Sequence, residues 1–381
     1  MKILYSGFDA IDFSVKGALP AKILNQLEVA KAEAEKRQGV VLLKAGPGDV
    51  TIHVHESGLR GGFTFRISTG PTGEIVGIKS STDPEQWNFT VSIRAASLAT
   101  KGWRTARQDA WDLLKGLGVT VTDHSVRRVD YAIDVRIPVW DLRLESFVAH
   151  PRSTVRPHWG KKQAGAADEF APQTVTKGRR LSTVTVGKMP GRQIIVYDKK
   201  AAAIEKRELF WFDLWKLPRK LPDLEIARIE LRAGKSELKD KWQIRTFEDM
   251  ENAIGDVFEK LTSDIRYLSP NQSDSNISRQ RADPLWGLVR NHLAHILLEM
   301  RSGLTPDQVK QQKRTEAIRT HEDLILGNAA SLAVAKGLSE QEAISKLPLA
   351  LKELCENALN SQDGKFYDSM RKAGDRVHFI T

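Results

Sequence analysis

The 381-residue chain has one cysteine, Cys355, so it forms no internal disulfide and its fold depends on no oxidising compartment. No apolar run approaches the ~18 residues that a membrane-spanning helix needs. The opening, Met1-Lys2-Ile3-Leu4-Tyr5-Ser6-Gly7-Phe8-Asp9, meets an acid before a signal-peptide core can form. These absences predict a cytoplasmic protein with no membrane partner. Internal repeats and low-complexity tracts are also lacking, and the composition excludes a disordered, collagen-like or disulfide-stapled chain. Tyrosine is scarce: Tyr5, Tyr131, Tyr197, Tyr267 and Tyr367 are all there are.

The chain is rich in positive charge. The net formal charge is +10, and residues 151–250 hold twenty-two basic against thirteen acidic side chains. Between Arg152 and Arg192 the ratio is nine to two. A local surplus of this kind suits a polyanion, because each Lys or Arg that meets a phosphate releases counterions, although solubility alone also explains it. Trp159-Gly160-Lys161-Lys162 and Lys177-Gly178-Arg179-Arg180 interleave cations with an aromatic, as a DNA-tracking loop would; a basic surface loop is the plain alternative.

Periodicity gives the organisation. Residues 20–37 read as a helix; 40–44, 50–56 and 62–69 as strands; 92–116 as a helix with Trp103, Ala106, Ala110, Leu113 and Leu114 inward. A strand over 126–137 follows. Residues 182–187 and 192–199 form a hairpin around Lys188-Met189-Pro190-Gly191, a helix runs from near Asp198 to about Phe212, and a strand spans 226–232. Residues 247–266 make an amphipathic helix, 269–283 a polar linker, and everything from Pro284 on is helical. The expected fold is therefore an α+β domain over 1–268, a linker at 269–283 and a helical C-terminal region over 284–381. That last region offers dimerisation, DNA binding or partner binding.

Three segments carry chemistry. In Arg128-Val129-Asp130-Tyr131-Ala132-Ile133-Asp134-Val135-Arg136, alternation puts Val129, Tyr131, Ile133 and Val135 on one face and Arg128, Asp130, Asp134 and Arg136 on the other. Ala227 to Arg232 splits likewise, with Arg228, Glu230 and Arg232 on its polar side. Such a face is either a set of cross-strand ion pairs or a phosphodiester site, where carboxylates hold Mg²⁺ or Mn²⁺ and arginines bind phosphates. Third, Gln193 to Lys200 ends an apolar strand in Tyr197-Asp198-Lys199-Lys200. A tyrosine hydroxyl attacks phosphorus to form a phosphotyrosine if a nearby cation favours the phenolate. With a helix beginning at Tyr197, Lys200 lies one turn on, on the same face. A buried strand tyrosine is the alternative.

In order and spacing, these segments resemble the Rep_trans-type replication initiation factor family of rolling-circle plasmids and filamentous phages, which includes relaxases of some integrative conjugative elements. Tyr5-Ser6-Gly7-Phe8-Asp9 and Gly187 to Gln193 look closest to the filamentous-phage branch, and the likeness covers roughly residues 1–265. It implies a central antiparallel sheet of ferredoxin-like, HUH-nuclease type flanked by helices. It implies an enzyme that nicks one DNA strand at an origin with Mg²⁺ or Mn²⁺, through a 5′-phosphotyrosyl intermediate, leaving a 3′-OH primer. Tyr197 would be the nucleophile, Lys200 with Lys199 the neighbouring cation, and Asp130, Asp134 and Glu230 the metal ligands. Arg128, Arg136, Arg228, Arg232, Trp159, Lys161, Lys162, Arg179, Arg180 and Arg192 are the candidate DNA contacts. Implied partners are origin DNA, host helicase and polymerase, and a second subunit supplying the nucleophile that ends a cycle. A conjugative relaxase uses the same residues, and a DNA-binding regulator keeps the fold without the chemistry.

Two histidine pairs complete the inventory. His53-Val54-His55 matches the arrangement by which HUH nucleases bind metal and makes an alternative ligand pair, otherwise an ordinary polar strand face. His292 and His295, at i and i+3 of an apolar helix, read as core or interface residues. Residues 332–347 resemble a helix-turn-helix joined at Gly337-Leu338-Ser339.

Overall fold

A computed structural model describes residues 1–158, 181–219, 224–242, 244–270, 272, 274, 276–277, 279–297, 306–361 and 364–377. The elements run β1 (Lys2–Ala18), α1 (Ala21–Arg37), β2 (Val40–Ala45), β3 (Val50–His55), β4 (Phe65–Ser68), β5 (Ile75–Ile78), β6 (Trp87–Arg94), α2 (Ala95–Lys101), α3 (Trp103–Gly116) and β7 (Thr120–Ile137). Then come β8 (Phe147–Val148), β9 (Val155–His158), β10 (Thr183–Gly187), β11 (Arg192–Asp198), α4 (Lys199–Glu205), α5 (Phe210–Leu214), β12 (Glu225–Gly234) and α6 (Phe247–Asp264). Last are β13 (Arg266–Tyr267), α7 (Pro284–Ile296), α8 (Pro306–Ala335), α9 (Glu340–Asn360) and α10 (Lys365–Val377).

The fold is α+β, built on one large antiparallel sheet. Eleven described strands lie in the order β2-β3-β4-β5-β6-β1-β7-β12-β11-β10-β9, and each pairing between them is antiparallel. One face carries the main core: Ile11, Phe13, Val129, Ile133, Ile229 and Leu231 meet Leu27 of α1, Leu114 of α3, Phe258 of α6 and Trp286 of α7. The alternation read from residues 128–136 and 227–232 is the one the sheet uses. Its other face has a second, smaller core at the centre, where Tyr5 and Ile226 meet Ala99 of α2, Ala203 of α4 and Phe210, Trp211, Phe212 and Trp215 around α5.

Two expected elements differ. The helix expected over 92–116 is strand β6 to Arg94, then α2 and α3, separated at Gly102, whose φ of 76° suits glycine. The helix expected to run unbroken from near Asp198 is α4 and α5, parted by a turn at Lys206–Leu209 in which Arg207 takes a positive φ.

Packing onto the sheet continues past residue 268. Leu285, Trp286, Val289 and Leu293 of α7 sit in the main core, and the Trp286 indole donates to the Thr262 carbonyl at 3.0 Å. Asp283 N donates to Tyr267 O at 2.9 Å, so the segment after residue 268 is pinned at both ends to the same body. Thus α7 belongs with the sheet. Beyond it, α8 packs against α2 and α5, with Ala329 and Ala333 buried, and α10 packs against β2. Gly337, at φ +68°, makes the turn between α8 and α9. No helix among the described residues is long and apolar enough to cross a membrane.

Candidate active site

Four central strands, β1, β7, β12 and β11, build the site from their polar faces. Register places Tyr197 opposite Arg228, Arg228 opposite Asp134 and Arg232 opposite Asp130. On β1 the pairing with β7 shifts between Phe8 and Ala10. This bulge keeps Phe8 and Ile11 in the core and turns Asp9 onto the polar face beside Ala10. Gly7 leaves room for the Tyr5 ring, since a Cβ there would sit 2.5 Å from the Tyr5 hydroxyl.

The polar face is not open to water at its centre. Arg228 is only 1% exposed and Asp134 is fully buried. The Arg228 guanidinium donates to Asp134 through Nε (2.6 Å) and Nη2 (2.8 Å), and to Asp9 through Nη1 (2.7 Å). The Trp211 ring covers it, 4.1 Å from centroid to guanidinium carbon, and the Trp215 indole donates to Asp134 at 2.8 Å. Two carboxylates, two hydrogen-bonded oxygens on Asp134 and an indole face thus satisfy one buried cation. Without them its desolvation would cost several kcal/mol.

Beside this buried centre the face opens into a cleft of about 390 Å³. Its walls include Asp9, Asp130, Glu208 and Glu230, together with Arg66, Arg94, Arg128, Arg232, Lys199 and Lys206, and Tyr197. Six basic side chains against four acidic ones leave the cleft positive. Arg128 holds Asp130 in a fork (Nε to both oxygens, 2.9 and 3.1 Å; Nη2 to Oδ2, 2.5 Å), and Arg232 holds Glu230 (Nε 2.7 Å, Nη2 2.6 Å). Burial, with Glu230 nearby, raises the Asp130 carboxyl to about 6 even against its arginines. Burial also acts on Glu230, but Arg232 and Arg228 outweigh it and bring that carboxyl down to about 2. Asp9 is raised, chiefly by burial, and Arg228 opposes the rise. Two environments on one cleft wall therefore set these carboxylates apart.

Tyr197 is the last apolar residue of strand β11, at 5% exposure, and burial holds its phenol well above the usual tyrosine value. Arg228 is the strongest charge acting in the other direction, with Glu230, Asp9 and Asp134 opposing it. Asp198 caps the following helix by accepting from Ala201 N at 2.9 Å, so α4 begins at Lys199. That phase corrects the expected role of Lys200: Lys199 lines the cleft, while Lys200 donates to the Leu224 carbonyl at 2.8 Å. Lys199 lies 4.3 Å from the Trp211 centroid and 3.5 Å from Glu208. Burial and then Arg228 lower its ammonium pKa.

The expected residues are partly brought together. Tyr197, Lys199, Arg128, Asp130, Glu230 and Arg232 share the cleft. Arg228, expected as a DNA contact, is a buried hub outside the cleft walls. Arg192 is tied to Asp264 (2.6 Å) and Glu237 (3.7 Å) on β11, outside the cleft walls, and exposed Arg136 lies at the far end of β7. Trp159, Lys161, Lys162, Arg179 and Arg180 lie outside the described residues. His53 and His55 share a face of β3, with His55 at 3.0 Å from the Ser68 hydroxyl, but four strands separate β3 from β7. His292 contacts Ser6 Oγ at 2.6 Å on the core side. Sequence reasoning missed Asp9, Arg66, Arg94, Lys206 and Glu208. Only Asp9 carried a signal, in its place within the Tyr5–Asp9 motif.

The expected metal ligands do not fit a metal ion in this arrangement. Both Asp134 oxygens are taken by Arg228 and Trp215, both Asp130 oxygens by Arg128, and Glu230 Oε1 by Arg232. Among the described residues no group of three or more His, Cys, Asp and Glu side chains is placed to hold a metal.

No protein-family model matches the chain, and no curated protein matches it. Among solved structures it is similar to the rolling-circle replication initiator protein from Geobacillus stearothermophilus, at 10% identity and a TM-score of 0.38, over 78% of this chain and 98% of that one. No residue correspondence follows from a likeness that loose.

Proposed function

We propose that the chain is a replication initiator of the rolling-circle type, which cuts one DNA strand with Tyr197 and later rejoins it. The observation that carries this reading is the position of Tyr197: the last apolar strand residue before a helix, on the wall of a positive cleft, opposite a buried arginine. A tyrosine needed only for packing gains nothing from that company.

In the proposed reaction the Tyr197 phenol gives up its proton to water in the cleft as its oxygen attacks a backbone phosphorus. The P–O3′ bond breaks, the 3′ oxygen leaves and takes up a proton, and the 5′ phosphate stays on the tyrosine. Arg128, Arg232 and Lys199, already at the cleft wall, face the phosphate's added charge. Arg66, Arg94 and Lys206 extend the same cleft and suit further backbone phosphates. We read β1, β7, β12 and β11, backed by α3 and α6, as the ferredoxin-like unit implied by the sequence resemblance. Origin DNA is the proposed partner.

The test is a supercoiled plasmid carrying the DNA that flanks this gene in its own genome, incubated with wild-type protein or Tyr197→Phe, with and without Mg²⁺ or Mn²⁺. Wild type is expected to yield open circles with protein covalently attached, and the variant none. Binding with no nick under any of these conditions would leave a DNA-binding protein and sink the enzymatic reading.

A further inference from the structure

We infer that Arg228 is the positioning residue that readies the Tyr197 phenol for attack, and that Asp134 serves to hold Arg228 in that place. This rests on the proposed role of Tyr197 as nucleophile. It gives two residues a task different from the DNA contact and metal ligand suggested by their sequence.

The argument starts from the register. Tyr197 and Arg228 are directly opposed residues on adjacent antiparallel strands and share the polar face, which sets their Cβ atoms about 4.5–5.5 Å apart. In a dry site, a fixed cation on the opposed residue favours the phenolate over the phenol. The charges that act most strongly on the phenol are Arg228 and Glu230 from β12, Asp9 from β1 and Asp134 from β7; Lys199 of α4 and Glu208 share its cleft wall. Three of the four groups acting on it most strongly are carboxylates, which oppose ionisation. Arg228 is the cation set against them.

Nothing allows Arg228 to leave. Its three donor nitrogens are used on Asp134 and Asp9, and the Trp211 ring lies against its face at 4.1 Å. Asp134 is in turn oriented by the Trp215 indole at 2.8 Å. With 1% exposure, the guanidinium is too deep to grip a phosphate, and its one route into the chemistry is through the neighbouring phenol. A planar fork held from three sides fixes a charge in a way that a flexible ammonium does not.

The test reads the phenol itself. Trifluorotyrosine, whose hydroxyl titrates at lower pH than tyrosine, is placed at position 197 and its ¹⁹F resonance followed against pH without DNA. The titration is repeated in Arg228→Lys and in the Arg228→Gln/Asp134→Asn double variant. Arg228→Lys, which keeps the charge but loses the fork, is expected to titrate between the wild type and the double variant. The double variant is expected to fold, because two amides replace the ion pair and the buried Asp9 carboxyl takes up a proton once Arg228 is gone, and to titrate about 1 pH unit higher, the lost Arg228 charge outweighing the lost Asp134 charge. An unchanged or lower titration in the folded double variant would overturn the role of Arg228. A double variant with no cooperative unfolding transition would overturn the assignment of Asp134, since its task would not end with Arg228. Because no DNA is present, these outcomes stand apart from the nuclease reading, whose failure would show as the absence of any covalent adduct.

Discussion

Asp134→Asn tests the buried hub most sharply, because the change keeps the shape and removes one charge. In the native protein Arg228 shares its charge between Asp134, with two hydrogen bonds of 2.6 and 2.8 Å, and Asp9, with one of 2.7 Å. Breaking a buried pair by removing one partner costs about 3–5 kcal/mol when the other charge is stranded. Here Asp9 remains, and the amide oxygen that replaces the carboxylate still accepts one bond from Arg228 and one from Trp215. The expected loss is therefore smaller, about 2–3 kcal/mol. Against total stabilities of about 5–15 kcal/mol this shows plainly in the urea midpoint. Adding Arg228→Gln is expected to recover most of the loss, giving a coupling energy of about 2 kcal/mol in the double-mutant cycle. A single substitution costing less than about 1 kcal/mol, or two losses that simply add, would refute the view that these side chains form one unit.

Three further predictions follow from other parts of the structure. Trp286→Ala is expected to destabilise the sheet body by about 3–5 kcal/mol, and a fragment ending at residue 268 to lose cooperative unfolding that one ending at residue 297 keeps; an independently folded 1–268 fragment would restore the earlier boundary. The Asp130 carboxyl, raised from 3.8 to about 6, is expected to titrate near pH 6 by carboxyl ¹³C NMR. Its folded-state value lies above the unfolded one, so its stabilising contribution is complete below about pH 4 and lost as pH rises through 6. Protonation also removes a negative charge from the cleft, so affinity for oligothymidine should rise between pH 7 and 5 and lose that rise in Asp130→Asn; titration below pH 4 would contradict this. Finally, Mn²⁺ titrated into the DNA-free protein and followed by electron paramagnetic resonance is expected to show no saturable site that Asp130→Asn abolishes, because arginines already occupy these carboxylates.

Much of the centre was readable in advance because strand alternation is rigid. Once residues 128–136 and 227–232 are strands, which side chains share a face is fixed, and the carboxylates and arginines separate from the valines and isoleucines without further information. What covers the polar face was not readable. Phe210, Trp211 and Trp215 are buried aromatics, and what Trp211 and Trp215 bury is an ion pair. Helix phase after Tyr197 depended on a single capping bond from Asp198, which exchanged the places of Lys199 and Lys200. A one-residue bulge brought Asp9 to the cleft, and a bulge leaves no mark in the hydrophobic pattern except in hindsight. The polar stretch before Pro284 resembled a linker because its own residues are polar. The Tyr267–Asp283 hydrogen bond and the Trp286 side chain beyond it decide otherwise.

The central claim concerns one oxygen atom, and one peptide reports on it. After reaction with plasmid carrying the gene's flanking DNA and digestion of both macromolecules, the tryptic peptide Gln193–Lys199 contains one tyrosine. Mass spectrometry is expected to find a nucleotide 5′-phosphate on Tyr197 in that peptide, and on no other tyrosine. An unmodified Gln193–Lys199 peptide from nicked, protein-linked DNA, with the nucleotide on another residue, would contradict the account.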